Sequence, residues 1–283
     1  MSAAQVPTGH KWLSFLGKTR FHGALIRWNL LVLIIPVLDI KDGLVVRARM
    51  GNREAYKPID TPLSPTANLV DVAEGLRKLY PFPAFYIADL DRIERRGEGT
   101  PLNQLQPLLS IANIWLDAGF SEQDQLASVL QNNGISPVLG SESQTGSSTL
   151  EGLCTDARLV LSLDFRGDDF LGPRSILENA HHWPSRVIVM TLGRIGANSG
   201  PDFDRLADIK RRAGDRDIIA AGGVRDLHDL ERLEAMGIAA ALVATALHNG
   251  SLTPEAISSL MENETYGTAE KGRKIAPSPH SQF

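Results

Sequence analysis

The sequence predicts an α/β fold, a (β/α)8 TIM barrel built as a two-fold repeat of half-barrels. Short apolar runs alternate with amphipathic stretches, as in βα units that form a parallel sheet. The apolar runs number eight, which favours a closed barrel over an open sheet. Residues 37–43 and 161–167 also look like copies of one element, since each apolar run ends in an aspartate followed by an apolar residue, a cation and a glycine.

Length and composition are compatible with one barrel and two flanking segments. The chain has 283 residues, and a single barrel of about 250 residues is typical. We expect the barrel to span residues 30–262. Residues 1–29 form an N-terminal extension, either an extra helix against the barrel or an artefact of start-site choice. Residues 263–283 have too little apolar content to pack and predict a flexible tail.

Charge and cysteine content narrow the class of protein. The net charge of −4 and the pI near 6.0 argue against binding to nucleic acid. The most apolar stretch, residues 30–38, is too short to span a bilayer and lacks a cleavage site, so no membrane association is expected. The single cysteine, Cys154, cannot form an internal disulfide, which predicts a cytoplasmic protein. The oligomeric state stays open.

The elements follow from hydrophobic periodicity. The predicted strands are residues 33–39, 84–89, 113–117, 136–140, 159–164, 186–191, 217–221 and 240–244. The clearest predicted helices are residues 68–79, 121–131, 201–212 and 226–236. The proline-rich segment 49–68 predicts a long loop over the first strand, which is either an active-site lid or a plain surface excursion.

A glycine pair follows the seventh predicted strand. Gly222 and Gly223 lead into the helix that begins near Asp226, so backbone N–H groups and the helix dipole would face one point. The loops after strands seven and eight are the usual phosphate site of such barrels, and Thr245 adds a hydroxyl and an amide. The sequence therefore predicts a phosphate site here, although a tight turn alone would also explain the glycines.

The first half contains a weaker counterpart of this site. Gly119, Gly140 and Ser141 occupy the matching turns, but Asp117 and Glu142 lie beside them and would repel an anion. If both turns bind phosphate, the ligand carries a phosphate at each end and spans the barrel mouth.

Two aspartates end strands on opposite sides of the predicted barrel. Asp39 follows the first strand and Asp164 the fifth, at the carboxyl ends where catalytic groups of these barrels lie. One carboxylate could accept a proton while the other, with a raised pKa, donates one. The alternative is that each caps a loop or pairs with Lys41 or Arg166.

Asp89 ends the second predicted strand. It would hold a ligand hydroxyl or orient Lys41, unless it only satisfies amides of its own loop. The seven histidines have no ligand spacing, so no metal site is predicted.

Taken together, these motifs resemble the histidine-biosynthesis barrels, the family of the ribotide isomerase and the imidazole glycerol phosphate synthase cyclase. The resemblance covers residues 33 to 255 and is closer to the isomerase, because of the segments 88–91 and 199–201. The other segments that carry it are 37–47, 117–119, 138–141, 162–164, 194–201, 221–224 and 244–247, together with Asn103.

The resemblance implies a reaction and a set of site residues. The isomerase of this family performs an Amadori rearrangement, which converts an aminoaldose phosphate to an aminoketose without a cofactor. Asp39 would be the base and Asp164 the acid, acting on a small phosphorylated substrate. The substrate- and phosphate-binding residues expected here are Lys41, Asp89, Gly119, Gly140, Ser141, Thr191, Gly222, Gly223, Ala244 and Thr245.

Several positions depart from the family pattern. Ile195 stands where a substrate-facing aspartate is usual, Ala197 replaces a threonine, Asp117 replaces a glycine and Ala244 replaces another. These departures indicate a paralogue with a different ligand. Divergent relatives occur beside genes for pterin-type one-carbon cofactors, so a role in such a pathway is one alternative. A non-catalytic phosphate-ligand-binding scaffold is the other.

Overall fold

The computed structural model describes residues 32–262, which form a closed barrel of eight parallel strands. The first barrel strand, β1, pairs in parallel with β4 on one side and with β11 on the other, which closes the sheet. The eight strands of the barrel are β1 (Leu33–Lys41), β4 (Ala84–Asp89), β5 (Asn113–Asp117), β6 (Ile135–Gly140), β7 (Val160–Arg166), β9 (Arg186–Thr191), β10 (Asp217–Ala221) and β11 (Ala240–Val243). The predicted (β/α)8 fold is confirmed.

Three further strands extend the barrel at its carboxyl end. Antiparallel β2 (Leu44–Arg47) follows β1, and β3 (Lys57–Pro58) pairs with β2. In the second half, β8 (Asp169–Leu171) pairs antiparallel with β7. The first strand of each half-barrel therefore continues into a hairpin, in agreement with the predicted two-fold repeat. The sequence did not predict these short strands.

Helices connect the barrel strands and cover their outer face. They are α1 (Leu69–Leu79), α2 (Leu90–Ile93), α3 (Leu102–Leu109), α4 (Gln123–Leu130), α5 (Ser148–Leu153), α6 (Arg174–Glu178), α7 (Phe203–Ala213), α8 (Leu227–Ala235), α9 (Thr245–His248) and α10 (Pro254–Glu262). Side-chain caps define where some begin: Asp202 accepts from Arg205 N and Asp226 from Asp229 N. Within residues 32–262, no helix is long and apolar enough to cross a membrane.

Two apolar layers lie on opposite sides of the strands. Residues such as Ile34 and Leu38 of β1 pack against the helices, whereas Ile35 packs inside the barrel. Because side chains alternate along a strand, Asp39 shares the inner face with Ile35. In β7, Leu163 packs outward, so Asp164 points inward by the same alternation.

The predicted N-terminal extension (residues 1–29) and C-terminal tail (residues 263–283) lie outside the described residues.

Candidate active site

A single cavity at the carboxyl ends of the barrel strands contains both predicted catalytic aspartates. Asp39 and Asp164 line it from opposite half-barrels. Its middle wall is apolar and includes Met190, Leu192 and Ile195. The cavity lies where catalytic groups of TIM barrels lie, and it brings together residues that are far apart in the sequence.

Asp164 is buried and strongly hydrogen-bonded. Its side chain accepts from Ser162 Oγ at 2.6 Å, from Ser141 Oγ at 3.1 Å and from Glu142 N at 3.1 Å. The pKa of Asp164 is raised to about 7, first by burial and then by the nearby Glu142 carboxylate, with the Ser162 hydroxyl acting in the opposite direction. The side chain of Asp164 is therefore fixed in position by hydrogen bonds, and its carboxyl group can carry a proton near neutral pH.

Asp39 has a different environment. Among residues 32–262, no donor forms a hydrogen bond to its carboxylate. Burial raises the pKa of Asp39 to about 7; the Arg53 guanidinium counteracts this rise, and Asp117 adds to it. Asp39 thus presents a free carboxylate to the cavity with a pKa suited to accepting a proton.

Asp117 is a third carboxylate in the cavity. Tyr86 Oη donates to Asp117 Oδ2 at 3.0 Å, and Gly119 N donates to Oδ1 at 3.2 Å. Burial raises the pKa of Asp117 to about 6, while the Gly119 amide lowers it. In the sequence, Asp117 stands out only as a departure from the glycine expected in a phosphate turn. The alternation of β5, with Ile114 and Leu116 facing the helices, could have placed it inside the barrel.

The long segment between β2 and α1 reaches the cavity. It brings Arg53 and Tyr56 into the lining, where Arg53 forms an ion pair with Glu142 of the β6 loop. Burial raises the pKa of Tyr56 to about 12, with Asp39 contributing. Of the two interpretations of this segment, the structure favours a part in the site over a plain surface excursion. The sequence did not indicate which of its side chains would point inward.

Lys41 forms a hydrogen bond to the backbone of this segment. Its Nζ donates to the backbone oxygen of Arg53 at 2.8 Å. Lys41 is not among the residues that line the cavity, so its contact is with the chain itself.

The glycine pair lies at the opposite end of the cavity. Gly222 and Gly223 have φ of +102° and +93°, and a Cβ on Gly223 would lie 2.2 Å from Gly200 O. Both residues, with Ala244 and Thr245, line the cavity. The positive φ and the close approach to Gly200 account for the tight turn, and the place of the pair in the cavity lining leaves the predicted phosphate site as a prediction.

The amides at this end have no internal partner. Among residues 32–262, no acceptor binds the backbone N–H groups of Gly223, Thr245 or Ala246. Arg225 also lines the cavity here, although Asp229 holds its guanidinium at 2.8 and 2.9 Å. This end can therefore receive an anion through backbone donors.

Two of the three matching amides of the first half, those of Gly119 and Glu142, are already used. Gly119 N binds Asp117, and Ser141 Oγ contacts Leu171 O at 2.7 Å as well as Asp164. A Cβ on Gly140 would lie 3.4 Å from Asp164 Oδ2 and 3.5 Å from Asp117 Oδ2. Gly119, Gly140 and Ser141 therefore serve the carboxylates, and the geometry does not favour the phosphate role that the sequence suggested for them.

Asp89 and Thr191 also differ from the expectation of ligand contact. Asp89 is 1% exposed and accepts from Arg92 N at 3.1 Å and Thr100 N at 2.5 Å. It satisfies loop amides, which was the alternative interpretation, and it does not line the cavity. The side chain of Thr191 is absent from the cavity lining, and its carbonyl packs 2.7 Å from the Cβ position of Gly222. By the alternation of side chains, Asp89 and Thr191 each lie on the side of the strand that faces the helices.

Among the described residues, no group of three or more His, Cys, Asp or Glu side chains is arranged to hold a metal ion.

The fold and the cavity define a class of protein: a TIM barrel of two half-barrel repeats with carboxylates from both halves at one mouth. Comparison of the sequence with known proteins then identifies the family. The family described as histidine biosynthesis protein matches residues 33–253, and the chain belongs to it.

Curated relatives fall into two kinds. An uncharacterized protein of Methanocaldococcus jannaschii is 26% identical over 228 residues, which cover 79% of this chain and 96% of the relative. A phosphoribosyl imidazole-4-carboxamide isomerase of Leuconostoc mesenteroides is 26% identical, covering 78% of this chain and 96% of its own. One from Caldanaerobacter subterraneus is 25% identical, covering 83% and 100%. This chain is thus similar to these isomerases at low identity, as a divergent paralogue would be.

Proposed function

We propose that this protein isomerises a phosphorylated aminosugar by an Amadori-type aldose–ketose rearrangement. The single observation that carries the proposal is that Asp39 and Asp164 line one cavity and both have a pKa raised to about 7. General acid–base catalysis works best when the pKa of the group lies near the operating pH. Membership of a family with isomerase relatives supports the same reaction class.

The two aspartates have distinct roles in this scheme. Asp164, held by Ser162 and Ser141, donates its proton to the ring oxygen as the C–O bond of the aminoaldose breaks. Asp39, which is free of internal donors, removes the proton from C2 next to the resulting imine. Protonated Asp39 then returns its proton to C1 while the enol hydroxyl gives its proton back to Asp164 and becomes the ketone, so the net change moves hydrogen from C2 to C1 with no oxidant or reductant.

The substrate phosphate binds at the β10 and β11 end of the cavity. The free amides of Gly223, Thr245 and Ala246 support this placement, since backbone N–H groups bind phosphate without a counter-charge. The reacting sugar carbons then lie toward the centre, between the two aspartates.

The test is an isomerisation assay with purified protein. N-glycosides of ribose 5-phosphate with small amines, and the two-phosphate substrate named for the relatives, are followed by proton NMR for conversion to the ketose. We expect turnover that falls by about 10²–10⁴-fold in Asp39→Asn and in Asp164→Asn. Asp124→Asn, at an exposed position of α4, is the matched control and keeps full activity. Failure to isomerise any of these compounds would count against the proposal and favour a non-catalytic binding protein.

A further inference from the structure

The two ends of the cavity differ in what they can bind. At the β10 and β11 end, the amides of Gly223, Thr245 and Ala246 are free. At the β5 and β6 end, the amides of Gly119 and Glu142 already donate to chain carboxylates. A half-barrel repeat makes these positions equivalent, yet among residues 32–262 one end keeps all three of its amides for a ligand, whereas the other end has committed two of its three to carboxylates.

The two glycines at the β5 and β6 end are packed closely against other parts of the chain. A Cβ on Gly119 would lie 2.7 Å from Ile93 Cα, so the backbone of α2 covers this turn. Gly140 faces the carboxylate oxygens of Asp164 and Asp117 at about van der Waals distance from its Cβ position. The space on the Cβ side of both glycines is therefore already filled by the chain.

The charges at this end disfavour phosphate as well. The lining there includes Asp117 and Glu142, and Asp39 and Asp164 lie near enough to interact with Asp117. Arg53 is the cation at this end and already pairs with Glu142. A phosphate dianion bound here would lose its hydration and enter a region in which carboxylates outnumber cations, so its transfer from water would be unfavourable.

The free carboxylate of Asp39 favours a ligand group that donates hydrogen bonds, in contrast to a phosphate. It lines the cavity and has no hydrogen-bond donor among residues 32–262. A buried carboxylate without a partner is costly, so a ligand that supplies a donor gains binding energy there. Hydroxyl groups and protonated amines are such donors.

We propose that the ligand of this cavity carries one phosphate, bound at the β10 and β11 end, and presents hydroxyl or ammonium donors to the carboxylates at the β5 and β6 end. This inference deepens the proposed function, since it names the substrate class of the same site. The substrate name of the isomerase relatives contains two phosphoribosyl groups, so this chain would act on a different compound. Ile195 in the apolar wall is compatible with that change.

Binding of matched sugar phosphates tests the inference. Isothermal titration calorimetry compares fructose 6-phosphate with fructose 1,6-bisphosphate, and glucose 6-phosphate with glucosamine 6-phosphate. We expect the second phosphate to weaken binding at least tenfold and the amine to strengthen it. Equal or tighter binding of the bisphosphate would overturn the inference.

Titration with inorganic phosphate measures the number of phosphate sites per chain without any contribution from a sugar. Titration of the protein with phosphate should give one site per chain, and Thr245→Glu should abolish it by placing a carboxylate at the amides. Two sites, or none, would overturn the inference. An Asp117→Asn, Glu142→Gln double variant should relieve the penalty on the bisphosphate.

These measurements are separate from turnover. Loss of catalysis in Asp39→Asn reports on the proposed isomerisation, whereas phosphate number and the bisphosphate penalty report on the ligand class. One phosphate site in a protein that isomerises nothing would leave the ligand class supported and the proposed reaction rejected.

Discussion

Arg53 and Glu142 form an ion pair that joins the two sides of the cavity mouth. Arg53 Nη1 lies 3.5 Å from Glu142 Oε2, the second contact of the pair is closer, and both side chains are largely buried. Arg53 comes from the segment after β2, and Glu142 from the loop after β6. Lys41 fixes the Arg53 backbone from β1. The pair places one positive charge near Asp39 and Asp117, and this charge lowers the pKa of both.

The first prediction concerns this charge. Burial raises the pKa of Asp39 to about 7 even though Arg53 lowers it. Arg53→Gln should therefore raise the pKa of Asp39 above about 7, because the opposing cation is lost. Carbon-13 NMR titration of labelled aspartate measures the shift without any substrate. Arg77→Gln, in an exposed pair with Glu74, is the control. An unchanged or lower pKa of Asp39 in Arg53→Gln would show that Arg53 does not act on it.

The second prediction is that Asp39→Asn stabilises the protein at high pH. The pKa of Asp39 is raised on folding, so its contribution to stability is largest below the unfolded pKa of 3.8 and is lost as the pH rises through about 7. Removing the charge should raise the free energy of unfolding at pH 8, on the order of a few kcal/mol. The gain should be smaller at pH 5.

Denaturant unfolding of both proteins at the two pH values measures the effect. Asp124→Asn, which changes an exposed carboxylate, should show no such gain. A larger gain at pH 5 than at pH 8 would reverse the sign of the argument and contradict the prediction.

The third prediction concerns a buried pair that anchors the long segment. Thr61 Oγ1 lies 3.0 Å from His248 Nδ1, and His248 is 4% exposed. Thr61→Val should cost about 1–3 kcal/mol of folding stability, because it leaves a buried histidine nitrogen without a partner. Chemical denaturation compares this variant with Thr155→Val, at an exposed position. Equal stability of the two variants would exclude the anchoring role.

The pKa of His248 adds a pH dependence to that pair. Burial lowers it to about 4, with Arg47 contributing. A histidine that folding keeps neutral contributes stability above its unfolded pKa of 6.5, and this stability is lost as the pH falls toward 4. We therefore expect a His248→Gln variant to lose less stability than the parent protein between pH 7 and pH 5, as followed by thermal unfolding.

The fourth prediction separates two reasons for glycine at position 223. Its φ is +93°, and an added Cβ would lie 2.2 Å from Gly200 O; Gly250 has φ +76° and no atom within 4 Å of its Cβ position. Gly250→Ala should cost only the backbone strain, about 1–3 kcal/mol. Gly223→Ala should cost more and weaken inorganic phosphate binding. Equal losses of unfolding free energy in the two variants would show that the contact with Gly200 is unimportant.

The strands were predictable because their pattern is local. The predicted strand at 113–117 matches β5, and the strand predicted at 33–39 falls within β1 (Leu33–Lys41). The helix predicted at 68–79 is one residue longer than α1. Apolar runs fully covered by helices leave a signal that needs no knowledge of distant contacts. Short hairpin strands such as β8 have no such signal, since pairing to β7 and not composition defines them.

Strand alternation separates the site residues that the sequence identified from those it misplaced. Asp39 and Asp164 lie on the inner phase of β1 and β7, and they reach the cavity. Asp89 and Thr191 lie on the outer phase of β4 and β9, and their side chains are not in its lining. Because successive side chains point to opposite faces, the difference of one position decides the outcome.

By itself, the sequence determined the eight-stranded barrel, the half-barrel repeat and the two aspartates at matching strand ends, because hydrophobic periodicity and motif position are properties of the chain. Only the tertiary structure decided that Arg53 meets Glu142 and that the first-half amides serve Asp117 and Asp164. Arg53 and Glu142 are 89 positions apart. Contacts between loops depend on how the closed barrel brings their ends together, and no local pattern encodes that distance.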